Sequence, residues 1–246
     1  MIKMDNKDLQ FRLLAGMPIP FEKGFIYSPK LREIAEIGYN KYYDLLSVLL
    51  IDKSNVEMSQ DYDLTNFEIL FHLSYQNKEF GDKLFQAFDL FLKEFPRRQY
   101  DENGVLFLFE NWSLNNENFD QFQSLIELSN CVTTKPEKKY KFANEKAREL
   151  FDRLLKEFPT PKSFKKKNEI TLFGIVNALA WRNNGMNIKE IFDLNVFQIY
   201  QAFLTTENID NYMSTIHGIY AGTVDINKIN IQKIHWAKEI DLQGGI

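Results

Sequence analysis

The chain has 246 residues, of which 44% are hydrophobic, and this is enough to bury a core as one large domain or as two smaller ones. Its formal net charge of -4 does not favour polyanionic partners such as nucleic acid. The single cysteine, Cys131, excludes an internal disulfide framework and every zinc site built from several cysteines.

The beginning of the chain contains acidic side chains and no apolar run of signal-peptide length. The most hydrophobic windows, residues 45–51 and 105–109, are far shorter than the roughly 20 apolar residues that span a bilayer. We therefore expect a soluble, cytoplasmic protein that does not enter a membrane.

The first elements are a short β-hairpin and a helix. Residues 17–21 and 25–27 lie on either side of a glycine-containing turn, which is typical of a short hairpin. Ser28 is the predicted N-cap of the helix, and the proline that follows it occupies the first helical position. Apolar residues then recur at helical spacing as far as Leu49. A glycine within this helix, Gly38, costs about 1 kcal/mol relative to alanine and indicates close packing at that point.

Two further helices follow a polar linker. Thr65 and Glu68 form a capping box that opens a helix reaching about Tyr75. The next helix is predicted over residues 78–95 and ends before Pro96. Its inner face carries mainly aromatic residues: Phe80, Leu84, Phe88, Phe91, Leu92 and Phe95.

A second hairpin is predicted where the pair Asn103 and Gly104 separates residues 99–100 from residues 105–109. A helix is expected over 118–131. The polar, lysine-containing stretch 133–141 is typical of an exposed connector.

This connector would divide the chain into an N-terminal region of hairpins and helices, residues 1–132, and a C-terminal helical region, residues 142–246. One continuous domain is the alternative. Helices are predicted over 143–158, 170–183, 188–203 and 209–220, followed by a short helix within 225–240 that carries Trp236. The predicted fold is mainly α, a multi-helix globular bundle with one or two short β-hairpins.

Motifs that would support catalysis or metal binding are missing from the sequence. His72, His217 and His235 have no histidine or cysteine one helical turn away to complete a zinc-binding pair. The glycines do not form a phosphate-binding loop, and no nucleophile elbow occurs. We therefore predict no catalytic residue, no cofactor and no metal, although an active site assembled from residues distant in sequence remains an alternative.

Two segments suggest a nucleic-acid-binding alternative. Residues 162–167 form a lysine-rich run around Phe164, which could contact phosphates and stack on a base. Residues 185–203 have the spacing of a helix-turn-helix, but the second helix offers no arginine or lysine to meet base edges. Core packing of a helical hairpin explains this segment better, so the alternative is a regulatory protein with a degenerate helix-turn-helix.

Four stretches resemble a known group of proteins. These are LAGMPIP at residues 14–20, IYSPKLREIAEIGYNKY at residues 26–42, IHGIYAGTVD at residues 216–225 and IHW at residues 234–236. They are similar to tail-morphogenesis proteins of long-tailed phages of Gram-positive bacteria, often labelled tail assembly chaperones.

The resemblance implies a cytoplasmic, non-enzymatic factor that binds the tape-measure protein or the tail-tube protein before assembly, without a cofactor. It is also compatible with a homo-oligomer. Aromatic residues make up 15% of the chain, and such rings carry large apolar area into interfaces. We expect Phe85, Phe91, Phe197 and Tyr200 to line an exposed groove that receives an amphipathic helix of the partner.

Overall fold

A computed structural model describes residues 5–53, 64–101, 104–132, 170–182 and 187–238. These residues form ten helices and two small antiparallel sheets, which confirms the predicted fold class. The helices are α1 (Asn6–Leu14), α2 (Leu31–Ile37), α3 (Tyr39–Leu49), α4 (Asn66–Gln76), α5 (Lys78–Leu92), α6 (Phe119–Asn130), α7 (Leu172–Trp181), α8 (Ile188–Ile191), α9 (Val196–Tyr220) and α10 (Ile231–Ile234).

Both predicted hairpins are present. The first pairs β1 (Ile19–Phe21) with β2 (Gly24–Ile26), and the second pairs β3 (Arg97–Asp101) with β4 (Gly104–Leu108). A further strand, β5 (Ser113–Leu114), extends the second sheet and was not predicted. Asn103 lies outside the described residues.

Gly24 is needed for close packing rather than for the hairpin turn. A β-carbon at this position would lie 2.5 Å from the indole nitrogen of Trp112. The positive φ of the turn falls instead on Glu22, at 51°. The strand therefore passes directly over the tryptophan.

The predicted long helix is divided in two at Gly38, and this corrects both of its predicted features. Gly38 has a φ of 100°, and nothing would lie within 4 Å of an added β-carbon, so the glycine permits a change of direction and not close packing. The N-cap of α2 is Lys30 and not Ser28. The Ser28 hydroxyl instead donates to the carbonyl of Ser129 at 2.7 Å, tying this segment to α6.

The helices α4 and α5 begin as predicted, but α5 ends early. Thr65 caps α4 by accepting a hydrogen bond from the Glu68 amide at 3.2 Å, which confirms the capping box. The helix α5 ends at Leu92 because Lys93 adopts the left-handed conformation, with a φ of 58°. Phe95 lies beyond this turn and is 69% exposed, so its predicted place on the inner face was wrong.

One hydrophobic core runs from Leu13 in α1 to Ile199 in the first turn of α9. Backbone hydrogen bonds join the two halves of the chain, since the Val196 amide donates to the Pro29 carbonyl at 3.1 Å and the Leu31 amide to the Leu194 carbonyl at 2.9 Å. The predicted connector lies outside the described residues, so the division into two regions stays a prediction.

The helix α9 is continuous over 25 residues and about 37 Å long, which corrects the prediction of separate helices over 188–203 and 209–220. Its buried residues, Val196, Phe197 and Ile199, all lie in the first turn. We call residues 200–238 the arm, because no side chain in this described range is fully buried.

The arm is a hairpin. At the end of α9 the amides of Thr223 and Val224 both donate to the Gly218 carbonyl, and Gly222 has a φ of 73°. The chain then returns along α9, so that the His235 ring lies 5.4 Å from the ring of Tyr212. Trp236 follows α10 and is not part of it, contrary to the prediction.

Candidate functional site

Two side chains at the start of α9 both cap this helix and hold α1 against it. Asn195 and Gln198 form a capping box, in which each side-chain oxygen accepts from the backbone amide of the other residue. The amide groups of the same side chains donate to the carbonyls of Leu13 and Leu14, at 3.2 Å and 2.9 Å. The last turn of α1 is therefore fixed to the base of the arm.

Beside this junction, α1 and α9 line a groove of about 420 Å³, which we call the first groove. From α1 it is lined by Phe11 and Leu14, which are 74% and 50% exposed. Trp236, 47% exposed, lines it from the returning segment of the arm. Its polar lining consists of Lys7, Gln10, Gln201, Thr205 and Lys238. The first groove thus combines exposed apolar rings with two cationic side chains.

A second groove, of about 580 Å³, lies on another side of α9. Leu179 of α7 and the residues Ile191 and Leu194 form its walls, and Ala202 and Ile209 of α9 contribute to its lining. Its lining is mainly apolar. Three residues, Leu14, Gln201 and Thr205, line both grooves and so form a ridge between them.

The four predicted groove residues do not come together. Phe91 is completely buried in the core and Phe197 is 1% exposed, so the expectation of exposed rings is corrected for both. Phe85 is partly buried beneath the guanidinium of Arg98, whose carbon lies 4.8 Å from the ring centre. Tyr200 is partly buried in a different place, and only Phe197 touches a groove, at the floor of the first one.

Tyr200 belongs to a cluster of tyrosines beside Cys131. Burial is the main cause that raises the pKa of Tyr200, and burial likewise raises the pKa of its neighbour Tyr43. Burial also raises the pKa of the Cys131 thiol, to about 12. The thiol therefore stays protonated near neutral pH and is a poor nucleophile.

The segment with helix-turn-helix spacing, residues 185–203, contributes its second helix to the hydrophobic core. Val196, Phe197 and Ile199, on the helix that would read the bases, are buried in the core. This face of α9 is therefore not available to a nucleic acid. The lysine-rich run at 162–167 lies outside the described residues.

The described residues contain no group of three His, Cys, Asp or Glu side chains placed to hold a metal ion. His72 and His235 each lie beside an aromatic ring, of Phe71 and Tyr212 respectively. Across the same part of the chain, no helix has the length and apolar character required to cross a membrane.

The residues that α1 contributes to the first groove were missed because α1 was not predicted. Asp5 is an N-cap signal in the sequence, and its side chain accepts from the Lys7 amide at 2.6 Å. Leu9 and Leu13, one turn apart, supply the inward face. These signals could have identified the helix, but not the exposed position of Phe11.

Comparisons with known proteins find a match only for the C-terminal part of the chain. Residues 165–241 match a family described as YomV second domain, which is of phage origin. The match covers under a third of the chain, and its described residues extend from α7 to the end of the arm. No curated protein and no solved structure matches significantly. The match therefore includes α9 and the arm, but not α1, which lines one side of the first groove.

Proposed function

We propose that this chain is a non-enzymatic, protein-binding factor of phage or prophage origin that holds the tape-measure protein or the tail-tube protein before the tail assembles. The phage-associated match over 165–241 supports the phage origin. The resemblance of its two ends to tail-morphogenesis proteins supports the stage at which it acts. The observation that carries the protein-binding role is the first groove.

Large rings at the first groove favour a protein ligand. Phe11 and Trp236 project from two different segments and keep 74% and 47% of their surface exposed. Aromatic anchors on either side of an apolar floor are typical of sites that receive the apolar face of an amphipathic helix. A tape-measure protein, being long and helical, offers such faces.

The charge of the lining narrows the choice of ligand. Lys7 and Lys238 lie at the same groove as the two rings. A helix with acidic residues beside its apolar stripe would place carboxylates next to these ammonium groups, which favours the correct register and faster association. We therefore propose that the bound segment is an amphipathic helix with acidic flanks.

Co-expression tests the function. The chain would be produced with the tape-measure protein, and separately with the tail-tube protein, of the phage that encodes it, and purified through a tag on this chain. We expect one of them to co-purify. Replacing Phe11 or Trp236 by serine should reduce the recovered partner about 10-fold or more, because each change removes an exposed anchor ring.

A matched control distinguishes binding in the first groove from binding to any exposed apolar side chain. Tyr75 on α4 is 68% exposed and does not line either groove, so Tyr75→Ser should leave the recovery unchanged. Recovery of neither protein with the wild-type chain contradicts the proposed function. Recovery that is equal for wild type, Phe11→Ser and Trp236→Ser contradicts the assignment of the first groove.

A further inference from the structure

The outer surface of α9 carries a mainly apolar stripe that the described residues cover only in part. Its members are separated alternately by four and three residues along the helix. Three of its side chains are well exposed, with Ile209 at 38%, Met213 at 47% and Tyr220 at 84%. We call this set the α9 stripe, and it consists of Ala202, Thr206, Ile209, Met213, Ile216 and Tyr220.

This spacing is that of a coiled-coil seam. Apolar residues that recur every 3.5 residues on average keep one face directed at a neighbouring helix over several turns. The fold uses this face only at its base, where Ala202 packs partly buried against the core, whereas Ile209, Met213 and Tyr220 stay exposed. A seam of this length is complete only with a second helix.

We propose that two copies of this chain pair through the α9 stripe, with their α9 helices antiparallel. The order of spacings is the same in both directions, so a reversed second stripe stays in register along its whole length. In this register Ile209 of each copy lies opposite Met213 of the other. A two-fold axis then passes beside residue 211.

The sizes of the paired side chains are complementary. The smallest residue of the stripe, Ala202, lies opposite the largest, Tyr220, and Thr206 lies opposite Ile216. Interfaces of this kind are well packed when large and small side chains face each other. The parallel arrangement would instead place Tyr220 against Tyr220 and Ala202 against Ala202.

The second groove explains where the Tyr220 ring goes. Ala202, Thr206 and Ile209 all line this groove, which holds about 580 Å³ between α9 and the residues of α7 and α8. Within one chain Tyr220 is about 27 Å along the helix from Ala202 and cannot reach the groove. The second copy brings its Tyr220 there, where an apolar ring finds Leu179 and Ile191.

The charges beside the stripe permit self-association. Asp210 is the only charged carboxylate in the positions directly flanking the stripe, and it forms an ion pair with Arg182. Near the two-fold axis the two copies therefore bring together two ion pairs and not two bare carboxylates. Self-pairing is not opposed by uncompensated like charges.

Cysteine cross-linking tests the antiparallel register. In the double variant A202C/Y220C, mild oxidation should join two copies covalently on a non-reducing gel, because each introduced thiol faces the other one in the second copy. Each single variant should remain uncross-linked. Wild type is the background control, since its only thiol is Cys131. Cross-linking of Y220C alone would show a parallel pair and overturn the proposal, as would no cross-linking of the double variant.

Light scattering after size-exclusion chromatography tests the association itself. Wild type should have the mass of a dimer, and Met213→Asp should raise the dimer dissociation constant about 100-fold or more, because it buries an unpaired carboxylate. Ser214→Asp, one residue further along on an exposed position, is the matched control and should leave the mass unchanged. A monomeric wild type at every concentration overturns the proposal. No tail protein enters these experiments, so their outcome is independent of the proposed function.

Discussion

Replacing Asn195 tests the idea that one side chain both caps the arm and holds α1. Its oxygen accepts from the Gln198 amide at 2.8 Å, and its nitrogen donates to the Leu13 carbonyl at 3.2 Å. Asn195→Ala removes both interactions. Asn195→Ser removes only the second, because serine caps a helix about as well as asparagine. Asn187→Ala is the matched control, since Asn187 caps α8 from an exposed position.

The expected losses follow from these contacts. Loss of an N-cap costs about 1 kcal/mol. Loss of one buried hydrogen bond costs about 0.5–1.5 kcal/mol, and the Leu13 carbonyl keeps its second donor, the Gly16 amide. We therefore expect Asn195→Ala to lower the free energy of unfolding by about 2 kcal/mol and Asn195→Ser by about 1 kcal/mol. Asn187→Ala should cost about 1 kcal/mol, from its cap alone.

Urea denaturation measures these free energies, and amide hydrogen exchange locates the change. Only Leu13 of α1 is buried, so the loss of its docking bond should accelerate exchange in α1. This acceleration is expected for both Asn195 variants and not for Asn187→Ala. If Asn195→Ser matches wild type in stability and in the exchange of α1, the docking role of the side chain is refuted.

Two further substitutions follow from local geometry and charge. Glu22→Gly should raise the free energy of unfolding by about 0.5–1 kcal/mol, because a non-glycine residue with a φ of 51° is strained. Thermal or urea unfolding measures this change. A variant less stable than wild type would show that the turn bears no strain. Burial tends to raise the pKa of Glu33, but hydrogen bonds from Lys93 and the Lys30 amide lower it overall. The carboxylate therefore stabilises the fold at neutral pH and loses this effect as the pH falls, so the stability difference between wild type and Glu33→Gln should narrow in acid. A constant difference would contradict this.

Local signals in the sequence were sufficient for many elements. The capping box of Thr65 and Glu68 and the two hairpins depend on residues within a few positions of each other, and all three are present. The division at Gly38 was not predictable in the same way, because the apolar stripe continues on both sides of it. The sequence also did not predict that α9 continues through residues 204–208. Helix propagation is cooperative, so a helix extends through residues that form helices only weakly.

The candidate site could not be obtained from residue type. Phe91 and Phe197 are buried and Phe11 is exposed, yet all three are phenylalanines on amphipathic helices. Which ring is covered depends on helices that are distant in sequence. For the same reason the first groove, which joins Phe11 to Trp236, arises only when the chain returns along α9.

The two proposals are compatible because the α9 stripe and the first groove occupy different faces of α9. Gln201 and Thr205 belong to the ridge between the grooves, whereas Ile209 and Met213 belong to the stripe. Antiparallel pairing would place the bases of the two arms, and with them the two first grooves, at opposite ends of the paired helices. A long helical protein with repeated apolar segments could then engage both grooves at once. The second contact would be made at high effective concentration, so a pair would hold such a partner more firmly than either copy alone.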